Sequence, residues 1–282
     1  MHNFIKLTRS FLAEIRIFNL LMIFSAQWII GYSMQFEAFN QSYYSSIFII
    51  IFGTIFITAA GYLQNNLLDL KLDMECKKKE RFFLLHFAKS SIKIIFLFYI
   101  IGISLIAFYS FSITNYSVLL ISILSVLLLN LYNLYLKKIV FIGNIAVALL
   151  CIFSIIIIYK IFPIHEGKIN FFQNPMLLFV GFYSYLREFV KDFEDQKCDA
   201  QFGYKTFPIL ISEKNSFIYF ASLLFLFVTY LIFDEFKLEI IGFLAVYHII
   251  LLYFFYNKDY SKVSVLLKIL FLIGIVFIWN AL

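Results

Sequence analysis

Nine apolar runs, at roughly 15–34, 45–66, 92–111, 117–135, 142–160, 175–190, 216–233, 238–256 and 263–281, leave this 282-residue chain little choice of surroundings. Most are near the length of about twenty residues that a helix needs to cross a bilayer. Their apolar residues come in blocks and do not alternate, which argues against a transmembrane β-barrel. The chain is 63% hydrophobic and only 14% charged, with mean hydropathy +0.91; soluble domains lie nearer half apolar and a quarter charged. The expected fold is all-α, a polytopic membrane protein with nine transmembrane helices. No soluble block or long linker divides it, so residues 1–282 read as one domain. With 10 Gly and 3 Pro, few helices should be sharply broken.

Loop charge sets the orientation. Of 23 Lys and Arg, only Lys160, Lys168 and Lys237 fall on one side. The rest lie in the N-terminal segment, in the loops after runs two, four, six and eight, or at the run ends beside them. That bias predicts that those loops are cytoplasmic, in a multi-pass protein of the cell (inner) membrane. The net charge of +6 then reflects topology and not a nucleic-acid partner. Residues 3–14 read as a short amphipathic helix lying at the interface, and no cleavable signal is expected. Cys76, Cys151 and Cys198 form no CxxC pair and imply no disulfide framework. Cys76 and Cys198 fall in cytoplasmic loops, where they are expected as reduced thiols.

Two acidic stretches end apolar runs on this same face. Residues four apart share a helix face, so Asn65, Asp69 and Asp73 form one stripe. Asp192, Asp195 and Asp199 form another, with Glu188 a turn earlier and Glu194 pointing elsewhere. A lone acidic loop on a membrane protein is usually just solvated. Two with helical spacing on one face suggest about five carboxylates around a shared pocket. Their mutual repulsion calls for counter-charge. Mg²⁺ supplies it, taking a few carboxylates and using its other positions for substrate phosphates. Lys71, Lys77, Lys78, Lys79 and Arg81 accompany the first stretch, and Lys191, Lys197 and Lys205 the second. They could hold a leaving diphosphate, although the positive-inside bias alone would put lysines at 77–79. His86, His165 and His248 show no metal spacing. Asn130, Asn133 and Asn144 are expected to pair helices.

Asn65-x-x-x-Asp69-x-x-x-Asp73, followed by Lys191-Asp192-x-Glu194-Asp195-x-x-x-Asp199-x-x-x-Gly203-x-x-Thr206-x-Pro208, resembles the two signatures of the UbiA superfamily of intramembrane prenyltransferases. Arg16-x-x-Asn19, and Tyr132-x-x-x-Leu136-Lys137 before Gly143-Asn144, extend the match along the chain. The resemblance implies a nine-helix bundle around a central cavity. Mg²⁺ would bridge the aspartates and the diphosphate of a polyprenyl donor, and a lipophilic acceptor would attack the allylic cation. It makes Asp69, Asp73, Asp192, Asp195 and Asp199 the catalytic, metal-holding carboxylates, with Asn65 as a further ligand. Arg16, Asn19, Arg81, Tyr132, Lys137 and Lys191 become substrate contacts, and the tail of the donor lies open sideways to membrane lipids. Tyr62, Tyr132 or Tyr185 could face the cation. The second signature is most similar to the digeranylgeranylglyceryl phosphate synthase branch, which alkylates a glycerol phosphate ether lipid with a geranylgeranyl group. Homogentisate-type enzymes are similar there too, which keeps an aromatic acceptor open. The chain departs from the family pattern at Asn66, where an aspartate is usual, and over Cys76–Arg81. A transporter or a non-catalytic prenyl-lipid binder is the competing class. A transporter would place its acids near mid-membrane in interrupted helices.

Overall fold

The computed structural model describes residues 2–38, 43–76, 81–162, 174–234 and 236–279. Lys77, Lys78, Lys79, His165 and Lys168 lie outside these residues. The elements in chain order are α1 (His2–Glu14), α2 (Ile17–Ala38), α3 (Tyr43–Leu68), α4 (Leu70–Glu75), α5 (Phe82–Ser112), α6 (Tyr116–Leu134), a 3-10 turn (Leu136–Lys138), α7 (Ile142–Tyr159), α8 (Pro175–Gln201), α9 (Phe207–Leu210), α10 (Glu213–Phe233), α11 (Leu238–Tyr256) and α12 (Tyr260–Trp279). Among the described residues, nine helices have 18 residues or more, and each overlaps one of the nine apolar runs. Seven of them are long and apolar enough to cross a membrane. The other two are α8, whose last third is charged, and α12, which carries Lys262 and Lys268. The amphipathic segment near the N-terminus is helical, as α1.

Local chemistry sets the ends. Asn115, Asn174 and Ser212 cap α6, α8 and α10 by accepting hydrogen bonds from backbone N–H groups two or three residues on. α8 does not stop at Val190 but runs on to Gln201, so the second acidic stretch is helix and not loop. It ends where Gly203 adopts a left-handed φ of 73°. There the Tyr204 N–H reaches the Asp199 carbonyl at 2.9 Å and the Gly203 N–H the Ala200 carbonyl at 3.3 Å, a closure that favours glycine. Two helices are interrupted. Asp69 (φ −89°, ψ 6°) separates α3 from α4, and Phe87 kinks α5.

The core has two large centres, with smaller clusters around Leu63 and Leu84 and around Leu20. One is built from α2, α3, α5, α6, α7 and the start of α8, with Ile47, Ile50, Ile51, Ile106 and Ile158 fully buried. The other joins the rest of α8 to α10, α11 and α12 through Phe189, Phe220, Leu251 and Val263. Helix association in lipid depends on close packing more than on the hydrophobic effect. Gly53 of α3 and Gly102 of α5 meet so closely that a Cβ on Gly102 would lie 2.8 Å from the Gly53 carbonyl oxygen. Gln27 of α2 ties α3 and α7 together, donating to the Thr54 hydroxyl and the Ser154 carbonyl. Gln64 of α3 donates to Asn130, and Asn133 donates back to Gly61 and Gln64. These two asparagines pair helices, as expected. The outer surface carries Phe18, Phe225 and Phe233, the pattern of a lipid-facing wall.

Candidate active site

The break at Asp69 and the long charged tail of α8 bring both acidic stripes onto one polar cavity. Asn65, Asp69 and Asp73 line it from α3 and α4, and Glu188, Asp192, Asp195 and Asp199 from α8. Arg16, Arg81, Tyr132, Lys137 and Lys191 complete the wall with Asn66, Asn144 and Tyr204. Of the expected site residues, only Asn19 is missing from it. Asn19 lines an adjoining apolar cavity of about 200 Å³ and donates to the Tyr62 hydroxyl at 3.5 Å. The two cavities share Arg16, Asn65, Tyr132 and Glu188. A ligand with a charged head and a greasy tail can therefore span both. Helices α2, α3, α5, α6, α7, α8 and α12 contribute to the apolar wall.

The carboxylates are held in place by cations and amides. The Lys137 ammonium contacts Asp69 at 2.5 Å and donates to Asn65 at 3.3 Å. Burial pulls the Lys137 ammonium below its usual range, and Asp69 opposes this. Asn144 donates to Asp192 at 3.0 Å. Asp192 lies beyond the apolar part of α8, yet burial pushes its carboxyl up to about 7, against the Asn144 hydrogen bond. Lys191 is raised chiefly by Glu188, 3.7 Å away. Among the described residues, no three of Asp, Glu, His and Cys converge as a ready-made ligand cluster. The donor set is nonetheless right for Mg²⁺, since the five aspartates and the Asn65 amide oxygen are hard oxygen ligands facing one space.

Behind the first stripe lies a network that sequence reasoning missed. Arg81 donates to Asp73 through Nε and Nη2, to Glu14 through Nη1 at 2.8 Å, and to Asn66 at 3.2 Å. Asn66 in turn donates to both the backbone and the carboxylate of Glu14. This accounts for the departure at 66. An aspartate there would face Glu14, whereas an amide donates to Glu14 and accepts from Arg81. Burial raises the Glu14 carboxyl above its usual range, and Arg81 opposes the shift. The signal in the sequence was faint: Glu14 is one of only two acids before residue 69.

Other expectations need correction. Lys71 is exposed and paired with Glu75 at 3.9 Å, and Lys197 and Lys205 are exposed as well. Among the described basic residues expected to flank the two stripes, Arg81 and Lys191 line the polar cavity. Tyr62 and Tyr132 line the apolar cavity, but Tyr185 points to the Tyr219 hydroxyl, 2.8 Å away, and lines neither. Asn144 pairs helices α7 and α8, but through a site carboxylate. His248 is structural, bonded to the Tyr183 hydroxyl at 2.7 Å. The reduced pair of thiols is overturned. Cys76, at the end of α4, and Cys198, beside Asp199 on α8, form a disulfide across 122 residues, with Cα atoms 5.6 Å apart. Sequence spacing could not reveal a pair that only the meeting of the two stripes creates. The bridge joins the two acidic walls of the cavity. Cys76→Ser with Cys198→Ser should lower stability by about 2–4 kcal/mol, as loss of a long-loop disulfide does. Thermal unfolding in detergent, with and without reductant, measures it. A midpoint insensitive to both would show that the bridge bears no load.

A model of the UbiA prenyltransferase family matches residues 25–281. The chain, an integral membrane protein, belongs to that family. A digeranylgeranylglyceryl phosphate synthase from Methanobrevibacter smithii is 29% identical over 150 residues, 53% of this chain. The match spans 47% of that relative, about half its length. A solved structure of digeranylgeranylglyceryl phosphate synthase aligns with TM-score 0.64 and 24% identity over 97% of each chain. A UbiA homologue from Archaeoglobus fulgidus, bound to GPP and Mg²⁺, aligns with TM-score 0.62 and 12% identity over 95% of this chain and 99% of its own. The apo form of another, from Aeropyrum pernix, gives 0.66 and 14% over 93% and 98%. At these identities the structures establish the fold.

Proposed function

We propose that residues 1–282 act as one Mg²⁺-dependent prenyltransferase domain with nine membrane spans. It would move a polyprenyl group, best fitted by geranylgeranyl, from its diphosphate to a lipophilic acceptor. The acceptor best supported is a glycerol phosphate ether lipid, on the signature of α8 and the relative from Methanobrevibacter smithii. The site would lie at the cytoplasmic face of the cell membrane, where the basic loops gather. The observation that carries this reading is the polar, five-aspartate cavity opening through Arg16, Asn65, Tyr132 and Glu188 into an apolar one.

Asp69, Asp73, Asp192, Asp195 and Asp199, with Asn65, would hold the metal. Bound there, Mg²⁺ would supply Lewis-acid stabilisation of the leaving diphosphate. Arg81, Lys137 and Lys191 add positive charge around the same oxygens. The allylic C–O bond breaks with its electron pair going to the diphosphate. A hydroxyl oxygen of the acceptor then bonds to the prenyl carbon and passes its proton to the released diphosphate. Apolar walls would keep water from the cation, and Tyr62 and Tyr132 line the same cavity. The A. fulgidus homologue bound to GPP and Mg²⁺ supports this ligand pair.

Purified protein should transfer radiolabelled prenyl from geranylgeranyl diphosphate, with Mg²⁺, to a prenylglyceryl phosphate. Transfer to homogentisate or a quinone precursor instead would reassign the acceptor. A folded sample that binds diphosphate but transfers to nothing would point to a lipid binder.

A further inference from the structure

One lysine stands where neither loop charge nor the aspartates explain it. Lys268 lies two turns inside α12, between Leu267 and Ile269. A lysine near a helix end commonly snorkels outward along its stem. Lys268 instead lines the apolar cavity, beside Leu267 and Phe271 and across from Arg16 and Arg187. Ionisable groups inside a membrane bundle usually face a partner or a ligand path.

The charge around it does not balance. The charged groups facing Lys268 are Arg187, Arg16, Glu194 and Glu188. Glu188 is already engaged by Arg187 at 2.5 Å and by Lys191, and Glu194 is exposed. Among the described residues, Lys268 forms no hydrogen bond or close ion pair. The Arg187 Nε is buried with no hydrogen-bond partner. Arg16 is held at φ 52° between α1 and α2, a left-handed turn that L-residues rarely adopt. Its guanidinium covers the Tyr62 ring at 4.9 Å. Cations massed in an apolar wall without matching carboxylates are costly unless an anion joins them.

We propose that Lys268 and Arg187, with Arg16, form a subsite for the phosphate of the lipid acceptor, set apart from the diphosphate site by Glu188. Arg187 and Lys268 line only the apolar cavity, whereas Arg16 and Glu188 line both. A phosphate held at this corner leaves the glycerol hydroxyl beside it pointing toward the junction of the cavities. There it meets the carbon that the donor releases. The subsite selects a phosphorylated lipid over the same lipid without its phosphate. It rests on the acceptor reading above.

The test compares wild type, Lys268→Gln and Lys268→Arg in detergent. The acceptors are a prenylglyceryl phosphate and the same lipid without its phosphate. Lys268→Gln should raise KM for the phosphorylated lipid about 10- to 100-fold, the weight of one charge-assisted hydrogen bond. KM for the donor and for the dephosphorylated lipid should not move, and Lys268→Arg should restore most of the loss. Binding of the same two lipids in EDTA forms a second arm that needs no turnover. If the wild type transfers nothing, yet binding depends on both phosphate and Lys268, the subsite stands and the reaction assigned above falls. If transfer proceeds and Lys268→Gln leaves KM and binding unchanged, or shifts the donor KM instead, the subsite is wrong and the reaction survives.

Discussion

Asp192→Ala and Asp69→Ala should each lower the rate of prenyl transfer on the order of 10³-fold with the fold intact. Metal stabilisation of a leaving diphosphate is worth several kcal/mol, and each 1.4 kcal/mol is about tenfold in rate. The two variants should differ in how they fail. Asp192 is held by Asn144, so Asp192→Asn keeps an acceptor for that hydrogen bond and removes only charge. It should be nearly as inactive as the alanine variant. Asp69→Ala also deprives the largely buried Lys137 of its counter-ion, so it should lose some stability besides activity. Initial rates at saturating Mg²⁺, with a melting curve for each variant, separate these effects. Full activity in either alanine variant would remove the carboxylates from the mechanism.

Arg81→Met should be among the most destabilising single changes in the chain. Glu14 and Asp73 have side chains only 2% and 4% exposed, and Arg81 bridges them. Removing one partner from a buried ionic cluster costs about 3–5 kcal/mol, because the remaining charges are left without compensation. The double variant Arg81→Met with Glu14→Gln should recover part of that loss, since one of the stranded carboxylates is gone. Chemical unfolding followed by tryptophan fluorescence reads both. A single variant as stable as wild type would mean that water already screens the cluster.

Much of this was legible in the sequence. Apolar runs gave away the long helices, seven of which are long and apolar enough to cross a membrane, because spanning a bilayer demands an unbroken greasy stretch. The four-residue spacing of Asn65, Asp69 and Asp73 set them on one wall even though the helix breaks at Asp69, because α4 resumes almost in register. The opposing stripe was readable for the same reason. What stayed hidden depends on long-range meeting. The role of Glu14 appears only when α1 folds back beside Asn66. The direction of Tyr185 is set by Tyr219 on another helix. That Arg187 of α8 and Lys268 of α12 line one cavity wall appears only when those two helices pack together. The cysteine pair was invisible for the plainest reason: nothing local distinguishes two thiols destined to meet from two that are not.

That bridge has a thermodynamic corollary. It spans the same two walls that the proposed divalent ion would draw together, so each closure would favour the other. Coupling of this kind is reciprocal. If opening the bridge weakens the grip on the ion, then loading the ion must protect the sulfurs from reductant by the same factor. Cellular thiol poise and magnesium supply would then act on one shared equilibrium.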